Sequence, residues 1–215
     1  MIRSFLTNPL MLIAVIPALL VAITMHEYAH GKVAALLGDP TPAAYGRLTL
    51  NPLKHLDPVG TLLLLLVGFG WAKPVPVNPA YFGVKRKKSM LYVSLAGVTM
   101  NLILAFIGAM LLGLAYRFGA VDTNNMLVIF LNYFMQFNVV LAVFNLIPIP
   151  PLDGSKVLES LLPYKYSYKW MPMLERYGYF ILMALAFTGM LSMFISPIIS
   201  FIIDFFISIA NTIFF

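Results

Sequence analysis

The chain has 215 residues, of which 61% are hydrophobic and only 10% are charged, and its mean hydropathy is +0.90. This composition excludes a soluble globular domain, which would have too little polar surface to cover itself, and predicts an all-α polytopic membrane protein. The 14 Lys and Arg exceed the 8 Asp and Glu. In a membrane protein this excess indicates topology and contact with the lipid bilayer instead of nucleic acid. The lack of cysteine excludes thiolate ligands, so any metal must be held by nitrogen and oxygen.

The first predicted membrane span runs from about Pro9 to Leu37 and carries the sequence His26-Glu27-Tyr28-Ala29-His30. Residues i and i+4 share one face of a helix, so His26 and His30 can bind one metal ion with Glu27 beside them. Ionisable side chains at membrane depth cost about 2.5–3.5 kcal/mol each on insertion scales, which favours a functional role for this group. The span therefore predicts a metal site inside the membrane.

The connection after this span, from Ala43 to Pro79, has an irregular sequence pattern. Gly46–Leu50 is a candidate for a short extended piece, and Thr61–Phe69 is apolar but shorter than the roughly 20 residues that cross a bilayer. Trp71–Pro79 contains three prolines, so it cannot be helical throughout. These features predict a re-entrant or short β-containing hairpin between the first and second spans, with its backbone covered by protein or water.

The remaining chain is predicted to complete a transmembrane helix bundle. In chain order, the predicted elements are a second span at about Ser89–Tyr116 preceded by the basic run Lys85–Lys88, a third span at about Met126–Leu146, a short helix from Gly154 to about Leu162, and one or two spans within Tyr177–Phe215, broken near Ser196-Pro197. We expect a single integral-membrane domain over residues 1–215. Its core would lie at about 9–162, with extra C-terminal helices at about 173–215.

Basic residues predict the orientation of the spans. Residues 38–88 carry seven of them and residues 148–176 carry four, whereas the loop between the second and third spans has little positive charge. The positive-inside rule therefore places both basic regions in the cytoplasm and the N-terminus outside. With a rise of about 1.5 Å per residue, His30 then lies on the order of 12 Å from the cytoplasmic end of its helix.

A catalytic zinc site needs a third protein ligand besides two histidines, with a fourth position left open. Asp153 is the candidate, because three prolines precede it at the inner end of a span and such broken backbone lines a cavity or is buried in protein. Two alternatives stay open at this point. Asp153 can cap the helix that begins at Gly154, and the two histidines can hydrogen-bond between helices or relay protons.

Three segments resemble the motifs of the site-2 protease family of intramembrane zinc metalloproteases. His26–His30 is similar to the family's first metal motif, and Asn145–Gly154 is similar to the second. Ala96–Asn101 resembles the intervening element, although Val98 stands where many members have proline. The resemblance extends from Leu19 to about Leu162. Segments 46–61 and 71–79 within it resemble a small bacterial and archaeal subgroup without a PDZ domain.

The resemblance implies that one zinc ion per chain is held by His26, His30 and Asp153. It further implies that Glu27 acts as general base and then as general acid in the hydrolysis of a peptide bond. Since the metal motif lies inside a span, the implied substrate is a transmembrane protein whose helix unwinds locally. The Gly46–Leu50 segment is either an added strand that pairs with the substrate or a plain connector.

Four further residues are candidates for supporting roles. The resemblance implies that Asn101 holds the substrate backbone or the developing oxyanion. Asn145 either orients the loop that carries Asp153 or makes a bond between helices. His55 and Asp57 either brace the entrance to the site or stabilise the hairpin by hydrogen bonds.

The expected location is a prokaryotic plasma membrane, crossed several times, with the active site towards the cytoplasm. A competing hypothesis is a membrane metal-binding protein or transporter that uses the same histidines without hydrolysis. A third hypothesis is an inactive structural member that binds partner helices. The sequence assigns no oligomeric state and no particular substrate.

Overall fold

The computed structural model describes residues 11–60, 70–119 and 125–215, and these are largely helical. The helices in chain order are α1 (Met11–Leu36), α2 (Thr41–Ala44), α3 (Arg86–Arg117), α4 (Met126–Asn145), α5 (Asp153–Leu161), α6 (Tyr164–Phe187) and α7 (Met190–Phe214). Two 3₁₀ segments, Pro52–Lys54 and Pro79–Lys85, lie in the connection between α1 and α3. Within the described ranges no strand is formed.

Four of these helices, α1, α3, α4 and α7, are long and apolar enough to cross a membrane. The three spans predicted at the N-terminal side correspond to α1, α3 and α4. Helix α3 begins at Arg86 instead of Ser89, because the basic run supplies its first turn. The predicted all-α polytopic membrane fold is confirmed.

The centre of the bundle is formed by α1, α3 and α4, each of which packs against the other two. Small residues line these contacts, including Ala18 and Ala22 of α1 and Ala105 of α3, all fully buried. Close approach of small side chains is the usual means of packing helices in a membrane, where lipid is as apolar as the protein. Helix α7 packs on the outside of α3 and α4.

The connection between α1 and α3 differs from the prediction in one respect. Gly46–Leu50, expected to be extended, forms a turn and bends. The two arms of the connection instead meet at one isolated antiparallel bridge between Leu56 and Ala72, beside a 2.8 Å bond from the Lys73 N–H to the His55 carbonyl. The apolar stretch Thr61–Phe69, expected to be re-entrant, lies outside the described residues.

The C-terminal break is not where the sequence predicted it. Pro197 lies inside α7, and the chain instead turns at Gly189, which has φ of 74° and precedes the first residue of α7. Glycine adopts this left-handed conformation without steric cost. Proline is tolerated inside membrane helices, where neighbouring groups satisfy the freed carbonyl. The prediction of a break at Ser196-Pro197 is therefore wrong.

Candidate active site

Three potential metal ligands converge where α1 meets the start of α5. The Nε2 atoms of His26 and His30 lie 3.0 Å apart, and the Asp153 Oδ2 atom lies 3.1 Å from the first and 2.9 Å from the second. The two histidines and the aspartate are buried. This is a group of three ligand atoms, one from each residue, that can hold a single ion.

The outer nitrogens of both histidines are already used. The His30 Nδ1 donates to the Val93 carbonyl at 2.7 Å, and the His26 Nδ1 donates to the Asn101 Oδ1. Because a carbonyl oxygen only accepts, each Nδ1 must carry the hydrogen, and each Nε2 is left with a lone pair. Both lone pairs and the carboxylate oxygen therefore face the same small space.

This donor set fits a zinc ion. Two nitrogen lone pairs and an anionic oxygen at such distances repel one another unless a cation lies between them. Zinc–ligand bonds of about 2.0–2.2 Å place the ligands of a tetrahedral site roughly 3.3 Å apart, close to the separations found here. Three protein ligands of nitrogen and oxygen leave the fourth position open, as in catalytic zinc sites.

Helix α3 can approach the two histidines closely because residue 97 is a glycine. A Cβ atom at this position would lie 2.5 Å from the His30 Nε2 and 2.6 Å from the His26 Cε1. Both distances are far below van der Waals contact, so only glycine fits without moving the rings. The backbone of α3 thus forms one wall of the site.

Asp153 reaches the site because the chain folds back sharply after α4. A Cβ at the next residue, Gly154, would lie 2.2 Å from the Leu146 carbonyl oxygen, so this turn also requires glycine. Asp153 is the first residue of α5, Leu152 is the N-cap, and no side-chain cap bond is formed there. The alternative that Asp153 caps the following helix is therefore wrong.

Glu27 lies beside this group and contacts the covering segment, which we define as residues Trp71–Asn78. Its Oε2 atom accepts a 2.9 Å hydrogen bond from the Val75 N–H. Val75 is buried, and a Cβ at Gly31 of α1 would lie 3.2 Å from its Cγ1 atom. The covering segment, which is part of the connection between α1 and α3, therefore fixes the position of the Glu27 carboxylate through this hydrogen bond.

Two buried charged residues, neither singled out from the sequence, anchor the covering segment. The Arg47 Nη2 atom donates to the Lys73 carbonyl and, at 3.1 Å, to the Pro74 carbonyl. The Asp39 Oδ2 atom accepts from the Asn78 N–H at 2.7 Å. In the sequence, Asp39 follows the end of the first predicted span and Arg47 lies within the predicted extended piece, but the sequence pattern does not reveal which backbone groups they contact.

Replacing Arg47 by Leu is expected to loosen the covering segment. Hydrogen bonds to charged groups contribute about 1.5–3 kcal/mol each, so the Val75 amide should exchange with solvent roughly tenfold faster or more. The measurement is hydrogen exchange at Val75. Lys73→Leu is the matched control, because it removes an exposed basic side chain of the segment and leaves both carbonyl acceptors in place. Unchanged exchange in Arg47→Leu would contradict the anchoring role.

Asn101 lies in the centre of the bundle and is fully buried. Its Nδ2 donates to the Ala22 carbonyl at 3.2 Å and to the Asn138 Oδ1 at 2.7 Å, while its Oδ1 accepts from His26. Both amide hydrogens are thus used inside the protein. The expected contact of Asn101 with substrate stays a prediction, and the structure gives this amide a direct contact with a candidate ligand.

Asn138 was not predicted. It is fully buried on α4, and its only signal in the sequence is a polar residue inside an apolar span, two helical turns before Asn145. Asn145 itself donates to the Leu141 carbonyl within α4 at 3.0 Å. Its suggested role in orienting the Asp153 loop stays a prediction.

His55 and Asp57 belong to the connection. The buried His55 donates from Nε2 to the Thr49 carbonyl at 2.8 Å, and the Asp57 Oδ1 accepts from the Gly60 N–H at 2.8 Å. These bonds join residues of the connection to one another. They agree with the structural alternative for this pair.

Comparisons with known proteins give a consistent family. A model described as Peptidase family M50 matches residues 113–189, which include Asp153. The "Putative zinc metalloprotease YwhC" of Bacillus subtilis (strain 168) is 45% identical over 202 residues, covering 91% of this chain and 90% of the relative. The "Putative zinc metalloprotease Rip2" of Mycolicibacterium smegmatis is 33% identical over 202 residues, covering 90% of this chain and 74% of the relative.

A Rip2 protein of Mycobacterium tuberculosis is 32% identical over 155 residues, covering 70% of this chain and 58% of the relative. No solved structure matches the chain at a significant level. Identity of 45% over nine tenths of two chains assigns both to one family. The chain therefore belongs to peptidase family M50, the site-2 protease family of zinc metalloproteases, as its two metal motifs predict.

Proposed function

We propose that this protein is an intramembrane endopeptidase that holds one zinc ion per chain and hydrolyses peptide bonds within or near transmembrane segments of membrane proteins. The observation that carries the proposal is the convergence of the His26 Nε2, His30 Nε2 and Asp153 Oδ2 atoms, with all three separations between 2.9 and 3.1 Å. Both histidines belong to a helix long enough to span a membrane.

Zinc at this site would supply Lewis acidity, which polarises a carbonyl and makes water more acidic. Glu27 is the base that we assign. It follows His26 directly in the helix, and its Oε2 is oriented by the Val75 N–H. The carboxylate takes a proton from the attacking water and passes it to the leaving amine nitrogen as the carbon–nitrogen bond breaks. The products are a new carboxyl end and a new amino end.

The depth of the site supports a substrate that lies in the membrane. His30 is six residues before the last residue of α1, which corresponds to about 9 Å at about 1.5 Å per residue. The end of α1 leads into the connection that carries Arg47, Lys54 and Lys73. By the positive-inside rule we propose that this end, and with it the active site, faces the cytoplasm.

A substrate helix must unwind before its peptide bonds become accessible, and the unwound chain then needs a surface along which to bind. A groove of about 200 Å³ lies between α1 and the connection, lined by Thr24, Met25 and Leu50 among others. Thr24 and Met25 lie on the same helix as His26 and directly precede it in sequence. We propose that the substrate enters here and contacts the Gly46–Leu50 segment.

The test is cleavage of a single-span model substrate by the purified protein in liposomes. Removal of zinc with a chelator should abolish cleavage, and added zinc should restore it. Cleavage that persists after complete metal removal would overturn the metalloprotease proposal. Zinc binding without cleavage of any membrane substrate would favour the competing hypothesis of a metal-binding protein or transporter.

A variant of Asp153 tests the assignment of the third ligand. Substitution of a residue that only hydrogen-bonds to a metal ligand lowers metal affinity by roughly 10–100-fold. Asp153→Ala should weaken zinc binding by more than this, because it removes a ligand itself. Zinc content is measured by mass spectrometry after dialysis against a weak chelator. Glu159→Ala is the matched control, since Glu159 is an exposed carboxylate of the same short helix. Full zinc content with normal activity in Asp153→Ala would remove Asp153 from the site.

A further inference from the structure

A chain of side-chain amides connects α4 to the metal-facing histidine of α1. The Asn138 Nδ2 donates to the Phe134 carbonyl at 2.8 Å, the Asn101 Nδ2 donates to the Asn138 Oδ1 at 2.7 Å, and the His26 Nδ1 donates to the Asn101 Oδ1. Asn101 and Asn138 have no exposed surface. Three helices, α1, α3 and α4, thus contribute one member each to a continuous buried network.

The direction of this network is determined by its ends. The Phe134 and Ala22 carbonyl oxygens can only accept, so the amide atoms that face them must be the Nδ2 donors of Asn138 and Asn101. The oxygen of each amide therefore points the other way. At the final position, the Asn101 oxygen requires a hydrogen on the His26 Nδ1, which leaves the Nε2 free to bind a metal.

We propose that Asn138 is a positioning residue that, acting through Asn101, holds His26 in its metal-binding tautomer and orientation. This inference rests on the proposed zinc site and adds a residue that does not touch the metal or the substrate. Outer partners of a metal-binding histidine fix its tautomer and ring orientation. Here the partner, Asn101, is itself oriented by a second amide, because within the described ranges the Asn101 Nδ2 has just one further acceptor, the Ala22 carbonyl at 3.2 Å.

Loss of the Asn138 oxygen has a definite chemical consequence. Without this acceptor, the Asn101 NH₂ group keeps the 3.2 Å bond to the Ala22 carbonyl, and a rotation of the amide that breaks this bond presents the NH₂ group to His26. The His26 Nδ1 would then have to accept, and the hydrogen would move to the Nε2 atom, where it blocks metal binding. The expected defect is therefore a change of tautomer, which a merely structural role of Asn138 would not produce.

Helix α4 contains a control for this substitution. Asn132 also donates its Nδ2 to the carbonyl four residues earlier, at 3.0 Å to Val128, as Asn138 does to Phe134. Of these two asparagines, only Asn138 also has a side-chain oxygen that accepts from another helix, among the hydrogen bonds of the described residues. Asn138→Leu and Asn132→Leu therefore remove the same local bond, and only the first removes the contact with Asn101.

The experiment combines zinc affinity with a direct reading of the tautomer. Zinc affinity is measured on the purified, metal-free full chain by competition with a coloured chelator. The tautomer is measured by ¹⁵N NMR of histidine-labelled protein without metal, which is practical because the chain has only three histidines. His55 donates from its Nε2, so its nitrogen pattern is opposite to that of His26, and a His26→Gln sample assigns the His26 signals.

Asn138→Leu should raise the zinc dissociation constant about tenfold or more and should move the His26 hydrogen from Nδ1 to Nε2. Asn138→Asp keeps an oxygen that accepts from Asn101 and should restore most of the affinity. Asn132→Leu should bind zinc like the parent protein. If Asn138→Leu does not fold, Asn138→Ala takes its place, with the same two results expected.

Two results separate this inference from the proposed function. A parent protein that binds zinc, together with an Asn138→Leu variant of unchanged affinity and unchanged His26 tautomer, would overturn the inference and leave the zinc site standing. A parent protein that does not bind zinc would overturn the proposed function. The tautomer measurement on metal-free protein would still decide the role of Asn138 in that case.

Discussion

Replacement of Glu27 by Gln is expected to lower the rate of peptide cleavage by roughly 10²–10⁴-fold, the usual contribution of a general base. The amide cannot take a proton from water, but its oxygen can still accept the 2.9 Å bond from the Val75 N–H. The three candidate ligands and the covering segment are left as they are. Zinc should therefore stay bound in the inactive variant.

The measurement for Glu27→Gln is cleavage of the model transmembrane substrate, with zinc content determined on the same preparation. Glu159→Gln, an exposed position on α5, is the control for removal of one carboxylate. Unchanged cleavage by Glu27→Gln would rule out Glu27 as the base. Loss of zinc together with activity would show that Glu27 supports the metal site instead of acting on water.

Replacement of Gly97 by Ala is expected to disrupt the candidate metal site through a single methyl group. The new Cβ would lie 2.5 Å from the His30 Nε2 and 2.6 Å from the His26 Cε1. The rings cannot easily turn away, because Val93 and Asn101 hold their outer nitrogens. Overpacking of this kind costs about 1–3 kcal/mol, so zinc affinity should fall roughly 10–100-fold, with activity falling in parallel.

Gly108→Ala, farther along the same helix, is the control for Gly97→Ala. A Cβ there would lie 3.0 Å from the Cδ1 atom of the Phe134 ring, away from the histidines. This variant should lose some thermal stability and keep its zinc affinity. Equal loss of zinc in both variants would mean that the defect comes from helix packing, and normal zinc binding in Gly97→Ala would contradict the close approach of α3.

Much of the membrane architecture follows from local patterns. Hydrophobic stretches of sufficient length predicted α1, α3 and α4, because a membrane helix must satisfy its own backbone and needs a minimum length. The C-terminal break was predicted at Pro197 and occurs at Gly189. Proline limits a helix strongly in water but less within a packed membrane bundle, so the sequence alone did not distinguish the two positions.

The covering segment shows where prediction from the sequence fails. The prolines at positions 74 and 76 showed that Trp71–Asn78 is not a helix, but the position of this segment follows from Arg47, Asp39 and the Glu27 carboxylate, which are distant in sequence. Hydrogen bonds between such distant residues depend on how the helices pack. No periodic pattern in the sequence predicts these hydrogen bonds.

The pairing of His26 and His30 could be predicted from the chain alone, since their spacing is a property of any α-helix. The choice of Asp153 needed an argument about its level in the membrane, and the roles of all three as ligands stay predictions. Asn138 required the folded bundle. Asn132, Asn138 and Asn145 make the same local bond within α4. The packing of α3 against α4 brings the side-chain oxygen of Asn138 within reach of Asn101. The sequence does not determine this contact, because the rotation and crossing of two helices decide which of their side chains meet.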